Sequence, residues 1–230
     1  MIMILQGVMV LLLYFLGALV IGLALTPSIL LFMKLLQATA SLHEGMRALV
    51  LGLGIAGGFF IFGLSFLLLV GFLNILLSLR LKEGTYGLTD GGSFKWYFLN
   101  ALLQGVKAFF MDFMLLTPFA SLFYRMMGAK LGRNVQINSK NIADLSLLEI
   151  GDNSVIGGNA TVIGHIFEKK GLKLKKVKIG ANVVVGLNSV IMPGVEIGAG
   201  AIVAAGAIVP KDTVIPPHTV YLGPSPERDK

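Results

Sequence analysis

The 230-residue sequence contains no cysteine, which excludes a disulfide framework, a thiolate nucleophile and a cysteine-ligated zinc site. Charged residues are scarce, at 13% against 55% hydrophobic, where an ordinary soluble domain carries about 25% charge. Histidine occurs three times and tryptophan once, so imidazole chemistry has few seats. The small charged complement is lopsided, with a formal net charge of +7. Such a surplus suits anionic lipid, a phosphate-bearing cofactor or nucleic acid. No aromatic-rich RNA module and no finger pattern accompanies it, which argues against nucleic acid as a partner.

Two stretches lack charge altogether. Residues 2–25 are long enough to cross roughly 30 Å of hydrocarbon. They are too long for a signal-peptide core, with no basic segment before them and no A-x-A site after them. Thr26-Pro27 is expected to end that helix. Residues 48–79 form the second run, punctuated by Gly52, Gly54, Gly57, Gly58 and Gly63. Small residues let membrane helices approach closely. These two spans define a transmembrane region over residues 1–92.

Residues 93–127 are apolar but carry Lys95, Lys107 and Asp112. Burying such charges at mid-membrane costs several kcal/mol. An amphipathic interfacial helix is expected, with Trp96 and Tyr97 at headgroup level and Pro118 bending the chain onward; a third span is the rival reading. Arg80, Lys82 and Lys95 follow the second span, and the C-terminal half is also basic. The positive-inside rule then places both termini and the C-terminal domain in the cytosol, with a multi-pass region in the cytoplasmic (inner) membrane.

The C-terminal domain, residues 128–230, has a six-residue beat. Aliphatic residues recur at Ile179, Val185, Ile191, Ile197, Val203, Val209 and Ile215, and earlier at Leu131, Ile137, Ile150, Ile156 and Val162. Neither a helix nor an isolated strand repeats this way. A hexapeptide period is the signature of a parallel β-helix, here a three-sided prism whose tight corners take Gly, Ala, Asn and Ser. The register slips by one residue between Ile137 and Ile150. It breaks over residues 163–178, which are expected to form a loop on one edge of the stack. That loop holds Lys169, Lys170, Lys173, Lys175, Lys176 and Lys178 against Glu168. It reads as a solvated charged arm, a membrane-surface contact or an electrostatic guide for an anionic substrate.

Of the histidines, His43 lies in the connector between the spans and His218 in the Pro-rich last turns, where it reads as a surface residue. His165 stands beside the break, and a neutral imidazole there can take a proton from a hydroxyl or amine. A lone histidine is more often structural, so the residue type alone leaves both roles open. One coil plus the slipped residue stacks Asp144 near residues 162–163, close beneath His165. There it could orient the imidazole, hold an acceptor or serve as an ordinary corner residue.

The run GHIFEKKGLKLKKVKIGANVVVGLNSVIMPGVEIGAGAIVAAGAIVPKDTVIPPHTVYLGPSP resembles the C-terminal half of hexapeptide-repeat acyltransferases of the galactoside, maltose and Nod-factor acetyltransferase group. The stretches LLTPFASLFYRMMGAKLGRNVQI and IADLSLLEIGDNSVIGGNATVIGHIFE look more like the membrane-linked C-terminal region of ε-poly-lysine synthetase-type proteins. The resemblance implies a left-handed β-helix, a homotrimer, and acetyl-CoA or another acyl-CoA as co-substrate. It places the catalytic histidine on His165, the pantetheine groove at Gly186 and Ala205, and the phosphate-binding base on Lys211, with Arg228 as a second candidate. Val184 stands where soluble members often carry an aromatic residue, and Leu187 where they carry a small one.

These readings combine into a membrane-anchored acyltransferase. It would move an acyl group to a hydroxyl or amine of an acceptor at the lipid surface, such as a small molecule or glycan. The alternatives are amide formation of the poly-lysine synthetase type, which needs partner domains, and a non-catalytic trimeric membrane scaffold. A zinc-dependent γ-type carbonic anhydrase is excluded, because that prism needs three histidine ligands and only His165 and His218 lie in the repeat region.

Overall fold

The computed structural model describes residues 2–223. The chain forms two compact units, one comprising the residues up to Leu73 together with Ala101–Phe110, the other Asn74–Asn100 together with the chain from Met111 onward.

The first unit holds helices α1 (Ile2–Ala38) and α2 (Glu44–Leu76). Two segments in them, Leu11–Ala38 and Glu44–Leu76, are long and apolar enough to cross a membrane. Leu11, Tyr14, Phe15, Leu19 and Leu23 are all more than half exposed, an arrangement that water does not favour. The stop expected at Thr26-Pro27 does not occur, since α1 runs through Pro27 to Ala38. The Thr26 hydroxyl donates to the Gly22 carbonyl at 3.0 Å, and the Ser28 hydroxyl to the Gly58 carbonyl at 2.7 Å. A helix supported by such side chains and a packed neighbour tolerates an internal proline. Glycine does make room for close packing here. A methyl group at Gly54 would strike Leu35 at 2.3 Å, and one at Gly63 would strike the Phe110 ring at 2.1 Å. Gly52 and Gly57 face open space instead.

The second unit begins with strand β1 (Gly84–Tyr86) and the start of helix α3 (Gly91–Phe109). Residues 93–127 are not one interfacial helix. After α3 come α4 (Met111–Met114) and α5 (Pro118–Met126), with Pro118 opening α5 rather than kinking a longer helix. Proline suits that first position because its missing N–H would have no intrahelical partner there. Helix α5 buries Ala120, Phe123 and Tyr124, and the Tyr124 hydroxyl donates to the Ser139 carbonyl at 3.2 Å. The helix thereby covers the first coil.

The coils follow as short strands β2 (Lys130–Leu131), β3 (Gln136–Ile137), β4 (Leu148–Ile150), β5 (Val155–Ile156) and β6 (Thr161–Val162). The interruption is the pair β7 (His165–Glu168) and β8 (Gly171–Leu174). The stack resumes with β9 (Val177–Ile179), β10 (Val184–Val185), β11 (Val190–Ile191) and β12 (Glu196–Ile197). It ends with β13 (Ile202–Val203), β14 (Ile208–Val209), β15 (Val214–Ile215) and β16 (Val220–Tyr221). Parallel pairing sorts them into three faces: β2-β4-β9-β12-β15, β3-β5-β10-β13-β16 and β6-β11-β14.

The aliphatic residues of the beat point inward. Ile156, Val185, Ile191, Val203 and Val209 have no exposed surface. Ile142 fills the third-face position in the first coil through a bridge to Val162, and Leu131 pairs with Ile150. The one-residue slip is thus absorbed between Ile142 and β4, where Asp144 and the short helical turn Leu145–Leu147 lie. Corners demand positive φ, and Asn182, Asn188, Gly194, Gly200, Gly206, Asp212 and His218 supply it in sequence order. Asparagine, aspartate and glycine adopt that conformation at least cost, and His218 is accordingly an exposed corner residue.

The segment expected as a loop is instead antiparallel sheet. Strand β8 pairs with β7 on one side and with β1 on the other. The lysines are not an unpaired arm either. Lys173 meets Glu168 at 3.9 Å, Lys176 meets Glu149 at 3.8 Å and Glu83 at 4.0 Å, Lys178 meets Glu196 at 2.7 Å, and Lys175 pairs with Asp212. Of the six lysines in this segment, Lys169 and Lys170 at the tip have no ion pair with the described residues. Because the inner row carries the prism, Ile191→Ala is expected to destabilise it by about 2–5 kcal/mol, read as a lowered denaturant midpoint of the purified protein.

Candidate active site

Asp144, the hairpin strand β7 and Lys211 all lie at the corner between the third and first faces. Asp144 has φ 53 and ψ 43 at the start of the turn that absorbs the slip. This left-handed backbone turns its side chain into the structure, where it has no exposed surface. Its Oδ2 accepts from the Gly164 N–H at 2.9 Å and lies 2.5 Å from His165 Nδ1. Its Oδ1 accepts from Trp96 Nε1 at 2.7 Å. A carboxylate surrounded by donors can only accept. The proton of the His165 contact is therefore assigned to Nδ1, which leaves the Nε2 lone pair for a proton from elsewhere. The His165 side chain is 22% exposed, so it is reachable from outside while anchored from within.

Gly164 makes this approach possible. Its carbonyl accepts from the Lys175 N–H at 2.8 Å. A methyl group on it would lie 2.9 Å from the Lys175 carbonyl oxygen, 3.1 Å from Asp144 Cβ and 3.3 Å from Leu147 Cβ. The Gly-His pair is thus a close-packed junction between coil and hairpin.

Trp96 is the residue that sequence reasoning placed elsewhere. It is 8% exposed and buried against the site. Its ring centroid lies 4.8 Å from that of His165 and 5.4 Å from that of Phe167. No local pattern announces this contact. Its one sequence signal is that the chain's single tryptophan sits in a segment carrying Lys95, poorly suited to a membrane core.

The other candidates divide. Lys211 is bonded to Glu168 of the hairpin, and the pair borders a cleft of about 600 Å³ with Phe167, Lys169 and Lys170. The Lys211 ammonium holds the Glu168 carboxyl below the usual range, and the carboxylate in turn raises the ammonium. Gly186 and Ala205 stack tightly, since a methyl group on Gly186 would lie 2.5 Å from the Ala205 nitrogen. They occupy the corner between the second and third faces, apart from the His165 corner of the same chain. Arg228 lies outside the described residues. Val184 and Leu187 project outward, 43% and 55% exposed. Among the described residues, no group of three histidine, aspartate or glutamate side chains could hold a metal ion.

A family comparison agrees with the six-residue repeat. A family model described as the hexapeptide repeat of succinyl-transferase matches residues 148–166 and 176–211. The gap between the matched segments falls on the β7–β8 hairpin. The two matched segments therefore share the six-residue repeat of that family model. The chain is similar to an acetyltransferase from Vibrio cholerae O1 biovar eltor solved with acetyl coenzyme A, at 21% identity over 65% of this chain and 93% of that one, with a TM-score of 0.45. It is similar to a maltose O-acetyltransferase from Clostridium difficile 630, at 23% identity over 60% and 87% of the two chains, with a TM-score of 0.42. A galactoside acetyltransferase solved with coenzyme A is 28% identical over 44% and 64%, with a TM-score of 0.36. Among curated proteins, the delta-poly-L-ornithine synthetase of Acinetobacter baumannii strain AB307-0294 is 27% identical over 75 residues, which are 33% of this chain but only 6% of that protein.

Gly164→Ala is expected to force the coil and hairpin apart. A stability loss of about 1–3 kcal/mol should follow, seen in the same unfolding measurement, together with greater protease cleavage within residues 163–178.

Proposed function

We propose that the chain is a membrane-anchored acyltransferase that moves an acyl group from acyl-CoA to a hydroxyl or amine of a membrane-associated acceptor. The observation that carries this reading is the buried Asp144 carboxylate bound to His165 at the one interruption of the coil stack. Nε2 of His165 takes the acceptor's proton as its oxygen or nitrogen attacks the thioester carbonyl. The tetrahedral intermediate collapses, the carbon–sulfur bond breaks, and the imidazolium returns the proton to the departing CoA thiolate. Asp144 holds the ring's tautomer and favours the transient imidazolium. Placing both reactants in one groove supplies much of the acceleration.

The cleft beside Lys211, with Lys169 and Lys170 at its rim, fits the phosphates of CoA. Gly186 and Ala205, at another corner, would reach the His165 of a neighbouring copy in a homotrimer with left-handed coils. The outward aliphatic row Val184, Ile202 and Val220 is exposed in the single chain and suits such a contact. The exposed apolar helices support a lipid anchor, and the basic residues Arg80, Lys82 and Lys95 after the second span favour the cytosolic side for the repeat domain. A second reading is amide formation in a poly-amino-acid synthetase system, favoured by the ornithine synthetase similarity; it uses the same base on an amine.

With no cysteine in the chain, a thiol reagent reads released CoA without background. His165→Ala should lower kcat for acyl-CoA turnover by about 10²–10⁴-fold while CoA still raises the melting temperature. Turnover equal to wild type in that variant, or no thermal response to CoA in the parent protein, would sink the reading. Lys211→Met should raise KM for acyl-CoA by roughly tenfold, the factor of one charge-assisted contact, with kcat little changed.

A further inference from the structure

The two oxygens of the Asp144 carboxylate have different tasks. Oδ2 faces the hairpin junction, Gly164 and His165. Oδ1 faces the Trp96 N–H. An indole nitrogen is a donor only, so this contact cannot reverse. A carboxylate turns about its Cβ–Cγ bond, and fixing one oxygen fixes the other. The same indole also packs against the imidazole, at 4.8 Å and 61° between rings. Trp96 thus touches both members of the pair.

The delivery of Trp96 is equally specified. Strand β1 pairs with β8, which pairs with β7, so that Gly84, Leu174 and His165 lie side by side. The turn from β1 into α3 is closed by the Gly87 N–H donating to Asp90 at 2.6 Å and by the buried Ser93 hydroxyl donating to the Gly87 carbonyl at 2.8 Å. The Tyr86 ring lies 2.2 Å from where a Gly92 methyl would be. One sheet therefore anchors both the histidine and the first turn of the helix that carries the tryptophan.

We propose that Trp96 is a positioning residue for the acyl transfer, with its indole N–H holding Asp144 so that the carboxylate aims at His165. The segment ahead of the coils thereby completes the active site. The proposal rests on the acyltransferase reading, and its test separates the two.

Trp96→Phe keeps the ring and removes the N–H. In the full-length protein, kcat should fall about 10- to 100-fold, the equivalent of one hydrogen bond to a charged group. KM for acyl-CoA should stay within about twofold. A kcat near the wild-type value overturns the proposal, as does a change confined to KM. Because the chain has one tryptophan, its fluorescence reports on the contact without turnover. Asp144→Asn and His165→Ala should each move the emission of the folded protein; emission unchanged in both overturns the proposal even if Trp96→Phe fails to fold. Should the wild-type protein turn over no acyl-CoA, the acyltransferase reading falls, while the emission still decides whether Trp96 holds the carboxylate.

Discussion

A carboxylate with no exposed side-chain surface sits where three separate chain segments converge. Asp144 belongs to the first coil, Gly164 and His165 to the interruption, and Trp96 to the helix that precedes the stack. Burying such a group is costly unless its lone pairs are occupied. Three donors, two from the interruption and one from the helix, bond it. The same bonds that offset burial also tie the segments together, so local stability and site geometry have one physical origin. Losing any donor would leave a buried acceptor short of partners and release the group it orients.

The prism explains why the carboxylate is available at that point. Coils of uniform length repeat the same corner and leave no side chain to point into a neighbour. The slip shortens the step from Ile137 to Ile142 and lengthens the step from Ile142 to Ile150. The surplus residues form the turn that begins with Asp144. One coil later, the chain leaves the stack altogether as β7 and β8. The two irregularities lie at the same corner, and they face each other across the Gly164 junction. Regular coils give a rigid frame, and paired departures from regularity give the site.

Much of the repeat domain was legible because its signal is local and periodic. The inward residues from Ile179 to Ile215 are buried in the positions that the beat assigns. The corners carry the positive-φ residues that such tight turns need. The stacking of Asp144 near His165 followed from coil length alone. Contacts between distant segments were not legible in this way. Trp96 reads as interfacial by composition, and only the β1–β8 pairing brings it to Asp144. The lysines of residues 169–178 read as an arm, because Glu149, Glu196 and Asp212 become their neighbours only after the coils stack, and Glu83 only once β1 pairs with β8. Pro27 reads as a stop, yet the Ser28–Gly58 contact shows α1 packed on α2 just beyond it.

The outer surface of the first face follows the same logic of stacking. Lys130, Glu149, Lys178 and Glu196 alternate in sign on paired strands, each opposite the next. Exposed pairs of this kind are screened by solvent and contribute too little to hold the fold. Their effect is on register. A strand shifted by one residue would set its charge inside the prism and its aliphatic residue outside. The inner hydrophobic row and the outer charge ladder therefore penalise the same error from opposite sides. A side-chain cluster built from departures in coil length requires such a frame, because only where register is strictly held can a surplus residue be directed to a single place.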